Sequence, residues 1–185
     1  MSEYKYPPKL FETDRLVLRQ PVKEDASAIF EEYAQDREVS RYLTWKPHKS
    51  IKETRAFLFR CEKVWREGTS FPWSVIRKTD RQLMGMIEIS FEQNGAILGF
   101  VLARKYWGNG FIPEAVKTLI KWCLKQDELH RVWAFCDIEN SASARAMQKA
   151  GMSREGILRS WTRLPQMGDL PRDCISFSAV KADIS

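Results

Sequence analysis

The sequence predicts an α+β domain built on a mixed central sheet of about seven strands, and three observations carry that expectation. The run Ala96–Ala103 is almost wholly apolar, long enough for a buried strand and too short for a free-standing helix. A glycine turn and a helical pattern with Val116, Leu119, Ile120 and Cys123 on one face follow it without a gap, and a second apolar strand comes at Val132–Ile138. A strand, a helical crossover and a strand make a parallel pair, whereas Asn94-Gly95 just before Ala96 is a hairpin turn and demands an antiparallel one.

In chain order, residues 1–11 read as an N-terminal arm stiffened by Pro7-Pro8, and one domain occupies 12–182. Arg15-Leu-Val-Leu-Arg19 alternates and makes the first strand, which Pro21 closes. A helix over 23–35 should turn Ala26, Ile29, Phe30 and Tyr33 inward, and Val39–Leu43 forms a short helical piece. Ser50 with Glu53 three residues on has the form of a capping box for a helix over 51–66, which buries Ala56, Phe57, Phe59 or Cys61, and Val64, and stops at Gly68. Strands at 71–77 and 83–91 join through Lys78–Arg81. After the parallel strand, Asn140 caps a short helix ending at Gly151, and 156–164 with 173–180 close the sheet as a hairpin.

Composition narrows the function. In 185 residues, 44% are hydrophobic and 29% charged, the balance of a folded soluble domain. The net charge of +6 raises nucleic acid as a partner, but the bases are scattered among acids with no block of five like charges, so nucleic-acid binding is not expected as the main function. Four widely spaced cysteines without a Cys-x-x-Cys pair predict reduced thiols in a cytoplasmic protein and no metal site. No apolar run approaches a membrane span.

Gly108 and Gly110 sit between a strand and a helix N-terminus, where backbone N–H groups and the helix dipole converge on an oxyanion, with Arg104 and Lys105 alongside. This is the pattern of a phosphate-binding turn. It lacks the lysine and serine or threonine of a P-loop and the third glycine of a dinucleotide fingerprint.

Lys105-Tyr-Trp-Gly-Asn-Gly110 resembles the pyrophosphate loop of the GNAT acyltransferase superfamily, written Gln/Arg-x-x-Gly-x-Gly/Ala, with Lys105 in place of the usual arginine or glutamine. The longer Tyr106–Ala115, the opening Thr13–Arg19 and the segment Asp137–Arg159 are similar to the branch that holds the bacterial ribosomal-protein N-terminal alanine and serine acetyltransferases. The resemblance covers about residues 12–180. It implies that two strands splay apart around acetyl-CoA. Phe100, Val101 and Leu102 then hold the pantetheine arm through their backbone, and Lys105, Gly108, Asn109, Gly110 and Phe111 hold the pyrophosphate. Asn140 bonds the pantetheine, with Arg145 and Lys149 near the nucleotide. No metal is implied.

The implied reaction is attack of an amine on the acetyl carbonyl, the acceptor being a protein N-terminus such as that of a ribosomal protein. A small-amine acetyltransferase and a non-catalytic acyl-CoA-binding module stay open as alternatives. An α-amino group needs less help from a base than a lysine does, because its ordinary pKa is near 8 rather than near 10.4. Strand 96–103 carries no carboxylate, so Glu88 is the first candidate base and Glu92 the second; Thr162 stands where a relative in the branch has a glutamate. Ser143, three residues after Asn140, is the candidate donor to the leaving thiolate, and a backbone N–H near Val101 or Leu102 the oxyanion donor. Trp45, Phe71, Trp73 and Trp161 are candidates for the acceptor pocket, with Trp45 and Trp161 preferred. The acceptor, the base and the oligomeric state, a homodimer included, are left open by the sequence.

Overall fold

Leu16 and Leu18 are fully buried while Val17 and Arg19, each following one of them, are not, the alternation of a strand with one face on a core. That strand belongs to a computed structural model that describes residues 6–93 and 95–184. Its strands are β1 (Leu10–Glu12), β2 (Leu16–Arg19), β3 (Phe71–Arg77), β4 (Leu83–Glu92), β5 (Gly95–Leu102), β6 (Arg131–Asp137), β7 (Ser153–Arg163) and β8 (Pro171–Val180). They form one mixed sheet in the order β1-β2-β3-β4-β5-β6-β8-β7. The strand beyond the expected seven is β1, which lies in and beside the segment read as an arm. Its three residues carry one sequence signal, Phe11, whose ring meets Trp73 at 5.5 Å and Trp122 at 6.1 Å. The Asn94-Gly95 turn joins β4 to β5, whose ladder closes at Glu92↔Gly95; Asn94 itself lies outside the described residues.

The helices are α1 (Ala26–Ile29), α2 (Arg37–Ser40), α3 (Ile51–Glu67), α4 (Phe111–Leu124) and α5 (Ser141–Lys149). The helix expected over 23–35 is not uniform: a 3-10 turn at Lys23–Asp25 precedes α1, and a π turn at Phe30–Ala34 follows it. Asp25 is drawn inward at the first junction. Its carboxylate accepts from Arg19 at 2.5 and 2.8 Å, from the Ser74 hydroxyl at 2.9 Å and from the Val22 N–H at 3.1 Å. Phe30 is half-buried, whereas Ala26, Ile29 and Tyr33 are core.

Two details of α3 differ from expectation. The capping box does not form, because Glu53 accepts from the Lys49 N–H at 3.1 Å and the Ser50 side chain makes no cap bond. The buried face is Thr54, Leu58, Cys61 and Trp65, so Ala56 and Phe59 face solvent. Trp65 sets that rotation: its indole donates to the Pro72 carbonyl at 2.7 Å and its ring packs edge-on against Phe71 and Trp73. Gly68 ends the helix in the left-handed conformation.

Register assigns the two faces of the sheet. Ser74, Met86 and Val101 lie in line across β3, β4 and β5, as do Pro72, Glu88 and Gly99; this is the face that Asp25 reaches. Trp73, Ile87 and Phe100 lie on the opposite face, where α4 packs through Trp122 on Phe91.

The parallel ladder between β5 and β6 holds only Gly95↔Arg131, Ala96↔Val132 and Ile97↔Trp133. Beyond it, β5 stays on β4 to Leu102 and β6 stays on β8 to Asp137. The sheet therefore opens at the carboxyl ends of its two central strands, and α4 and α5 both begin there.

Candidate active site

The turn after β5 is shaped by its glycines. Gly108 (φ 78°) and Gly110 (φ 77°) are both left-handed, and Gly110 is the N-cap of α4. A side-chain carbon built on Gly108 would meet no protein atom within 4 Å, so the turn's outer side is open to close approach by a ligand. The first N–H groups of α4 have no partner within the helix and lie at its positive end. A pyrophosphate fits such a turn.

Contacts the sequence did not disclose hold this turn rigid. The Arg15 guanidinium donates to the Asn109 carbonyl at 3.0 Å and to Glu114 at 2.7 Å, and lies 4.6 Å from the centre of the Phe111 ring. Glu114 also accepts from the Thr13 hydroxyl and the Arg15 N–H. Burial works against the Glu114 carboxylate, but the Thr13 and Arg15 bonds outweigh it and hold the carboxyl below its ordinary range. The Asn109 amide closes the turn from inside, donating to the Tyr106 and Trp107 carbonyls at 3.1 and 3.0 Å. Lys105 is directed elsewhere. Its ammonium meets Glu32 at 2.6 Å, a hydrogen bond that raises its pKa, and Arg104 meets Asp36 at 3.3 Å. The two cations beside the turn thus pair with carboxylates of the α1–α2 region.

The edge of β5 presents alternate residues to the opening. The Ala103 N–H donates to the Met84 carbonyl at 2.7 Å, so by antiparallel alternation Val101 also directs its backbone at β4. The Val101 carbonyl indeed lies so close to Gly85 that a side-chain carbon there would stand 2.1 Å from it. Phe100 and Leu102 direct their backbone groups at the opening instead, and the Leu102 carbonyl accepts from the Trp107 indole at 2.7 Å. Of the three residues expected to offer backbone groups, Val101 is the one turned away.

On the other side, Asn140 caps α5 by accepting from the Ser143 N–H at 3.1 Å. The half-buried Ser143 places its hydroxyl toward the Cys136 sulfur; burial pushes that thiol up to about 12, and the hydroxyl opposes the shift. Arg145 and Lys149 are exposed on α5.

Glu88 stands on the sheet face opposite α4, level with Gly99 across β4 and β5. Its side chain reaches solvent, yet protein atoms crowd the carboxylate, and desolvation raises its pKa while a hydrogen bond from Ser70, at 3.4 Å, opposes the rise. Glu92 accepts from the Trp133 indole at 2.9 Å. Register puts Trp133 and Phe135 on the Glu88 face, and Trp161 meets both rings edge-on at 6.2 and 5.9 Å. These three aromatics are partly exposed beside the opening, and Trp133 and Phe135 were not singled out from sequence. Phe71 and Trp73, at 1% and 0% exposure, are core side chains rather than pocket lining. Trp45 packs with His48, itself against Phe57, in a cluster separate from Trp161. Thr162 sits opposite Arg172 in the closing hairpin.

Among the described residues no group of three or more His, Cys, Asp or Glu side chains could hold a metal ion, and no helix is long and apolar enough to cross a membrane.

Comparison with known proteins agrees with this geometry. Residues 15–153 match the acetyltransferase (GNAT) domain family. The uncharacterized N-acetyltransferase YoaA of Bacillus subtilis is 30% identical over 175 residues, 93% of this chain and 97% of that protein. The ribosomal protein uS5-alanine N-acetyltransferase of Escherichia coli is 23% identical over 158 residues, 80% of each chain. The solved structure of the microcin C7 self-immunity acetyltransferase MccE, in complex with acetyl-CoA and AMP, superposes with a TM-score of 0.83 over 95% of this chain and 98% of that one; at 18% identity the likeness speaks for the fold alone. A glycine turn open at the N-terminus of α4, a sheet opened at its two central strands and a family match across most of the chain converge: the chain belongs to the GNAT family and is an acetyl-CoA-dependent N-acetyltransferase.

Proposed function

We propose that the chain transfers the acetyl group of acetyl-CoA to the α-amino group of a protein N-terminus, a ribosomal protein being the favoured acceptor. The observation that carries this reading is the aromatic face of Trp133, Phe135 and Trp161, which lies on the same side of the sheet as Glu88 and beside the opening. An extended peptide end can lie on such a face with its amine directed at the opening. The likeness to the uS5-alanine enzyme supports the choice of acceptor.

In this reading Gly108, Asn109, Gly110 and Phe111 bind the pyrophosphate through backbone N–H groups, and Phe100 and Leu102 hold the pantetheine arm. Asn140, Arg145 and Lys149 line its other side. Glu88 takes the proton of the ammonium, directly or through water, and the desolvation that raises its pKa makes it a stronger base than an ordinary carboxylate. The neutral amine then attacks the carbonyl carbon, and the Leu102 N–H stabilises the developing oxyanion. Collapse of the intermediate breaks the carbon–sulfur bond, the Ser143 hydroxyl stabilises the departing thiolate by hydrogen bonding, and the second proton of the attacking nitrogen passes to that thiolate, giving the neutral amide and free CoA thiol.

The test is thiol release from acetyl-CoA in the presence of matched peptides with free and blocked N-termini, and of polyamines. Turnover of free-ended peptides with none of the blocked ones is expected. Turnover of polyamines alone would make this a small-amine acetyltransferase, and turnover of neither would move the acceptor to another class of amine.

A further inference from the structure

Trp161 reaches the aromatic face by breaking the alternation of its own strand. Residues two apart on a strand share a face. Phe135 lies opposite Ser176, and Cys174 is two residues along β8 from it, so Cys174 and Arg172 belong to the Phe135 face. Leu158 pairs with Cys174 and Thr162 with Arg172, which puts both on that face as well. Plain alternation between Leu158 and Thr162 would send Trp161 to the opposite side. Its ring instead meets Trp133 and Phe135.

The cause is a bulge in which Arg159, Ser160 and Trp161 together face Asp173. Ser160 adopts φ 47°, a left-handed conformation unusual for a residue with a side chain. The Asp173 carboxylate accepts the Ser160 N–H at 2.7 Å and pins the peptide in that conformation. Trp161 is left 46% exposed, on the wall of a depression of about 370 Å³ that Arg131, Glu155 and Leu158 also line. Arg131 and Glu155 pair with each other there, which leaves the Trp161 indole, with Trp133, Ile157 and Leu158, as the surface offered to an apolar group.

We propose that Ser160 and Asp173 are positioning residues that act through Trp161 to set acceptor preference, holding the indole where it packs against an apolar side chain next to the acceptor amine. This rests on the reading of that face as the acceptor site. Backbone strain held by a specific anchor beside a site is a recognised way of fixing one side-chain placement.

The experiment compares wild type, Asp173→Ala, Ser160→Gly, the double variant, Trp161→Ala and Asp173→Ala with Trp161→Ala, each checked for cooperative melting. Steady-state rates with a free-ended peptide are measured beside acetyl-CoA titrations and fluorine NMR of 5-fluorotryptophan-labelled protein, in which loss of one signal in Trp161→Phe assigns Trp161. Asp173→Ala is expected to move the Trp161 signal and to raise the acceptor KM about five- to tenfold, the range of one aromatic contact. Acetyl-CoA affinity and kcat should stay within about twofold, as for a contact made equally in ground and transition states. Adding Ser160→Gly should restore both signal and KM, because glycine holds the left-handed conformation without an anchor. Asp173→Ala should add nothing in the Trp161→Ala background. An unmoved Trp161 signal, an unchanged KM, or an equal KM rise without Trp161 would overturn the proposal. If wild type acetylates no peptide, the acceptor reading fails by itself, and the fluorine signal still decides whether the bulge places the indole.

Discussion

The turn after β5 and the aromatic face of β6 and β7 flank one opening, yet they are held by opposite means. The turn is a continuous stretch that, in the proposed reading, meets its ligand through backbone N–H groups, with side chains such as Arg15, Glu114 and Asn109 spent on holding the main chain in shape. The aromatic face is gathered from separate strands, and the acceptor proposed for it would meet side chains. A pyrophosphate is the same in every turnover, so a fixed backbone cradle suits it and tolerates change in most side chains. An acceptor differs from one enzyme to the next, and a wall of side chains can be altered without disturbing the cradle.

The largest effect expected on the acceptor side comes from Glu88→Gln. General-base catalysis contributes about 10²–10⁴-fold, so kcat should fall at least about a hundredfold while acetyl-CoA affinity stays unchanged. The pH profile sharpens the assignment. A base must be deprotonated, so the rate should rise with pH up to the raised pKa of Glu88, and that limb should vanish in the variant. Stability runs the other way. A carboxyl whose folded pKa is raised contributes most below its unfolded pKa, and that contribution is lost as pH rises through the folded one. Glu88→Gln should therefore melt no lower than wild type at pH 8, and a lower melting temperature would make Glu88 a structural group.

On the cofactor side, Gly110→Val sets a β-branched residue at φ 77° and should weaken acetyl-CoA binding about a hundredfold or more in calorimetry with the fold retained. Retained affinity would break the contrast between backbone and side-chain recognition. Ser143→Ala should lower kcat about ten- to a hundredfold at nearly unchanged acetyl-CoA affinity, measured by thiol release beside a binding titration. A variant that lost only binding would make Ser143 a cofactor contact. Smallest of all, Lys105→Ala should change affinity less than about threefold, because its ammonium is paired with Glu32 at the surface. An effect larger than that of Gly110→Val would reverse the roles assigned to backbone and cation.

The same contrast governs what the sequence discloses. The strand, glycine turn and helix from Ala96 to Leu124 were legible because strand period, left-handed glycines and helical face all lie within one window. Contacts between distant segments were not. Thr13 and Arg15 stand about a hundred residues from Glu114, and nothing local to either end announces their meeting. On α3, Ala56 and Phe59 face solvent because Trp65 binds the Pro72 carbonyl across the following turn, a tertiary contact that overrides the helix's own pattern. Trp161 was picked as a residue type for a pocket, but its face could not be read, since a bulge reverses alternation without leaving a signature such as glycine. Val101 and Leu102 are both apolar and adjacent, and only the register with β4 tells which one turns its backbone to the opening.

The short parallel ladder between β5 and β6 makes the opened sheet a lever. Its fulcrum is three residue pairs, with Ala96 opposite Val132 at the centre and both fully buried. From Ile97, the last paired residue, to Leu102 the arm on the β5 side spans about 17 Å at about 3.3 Å per residue. A rotation of about 3° at the fulcrum then displaces the tip by about 1 Å, a misplacement that can cost about a hundredfold in rate. A methylene added at the fully buried Ala96 would strain the fulcrum itself, and the resulting rotation would be magnified at the opening. The width of the opening is thus coupled to how the side chains around Ala96 and Val132 pack at the closed end of the sheet.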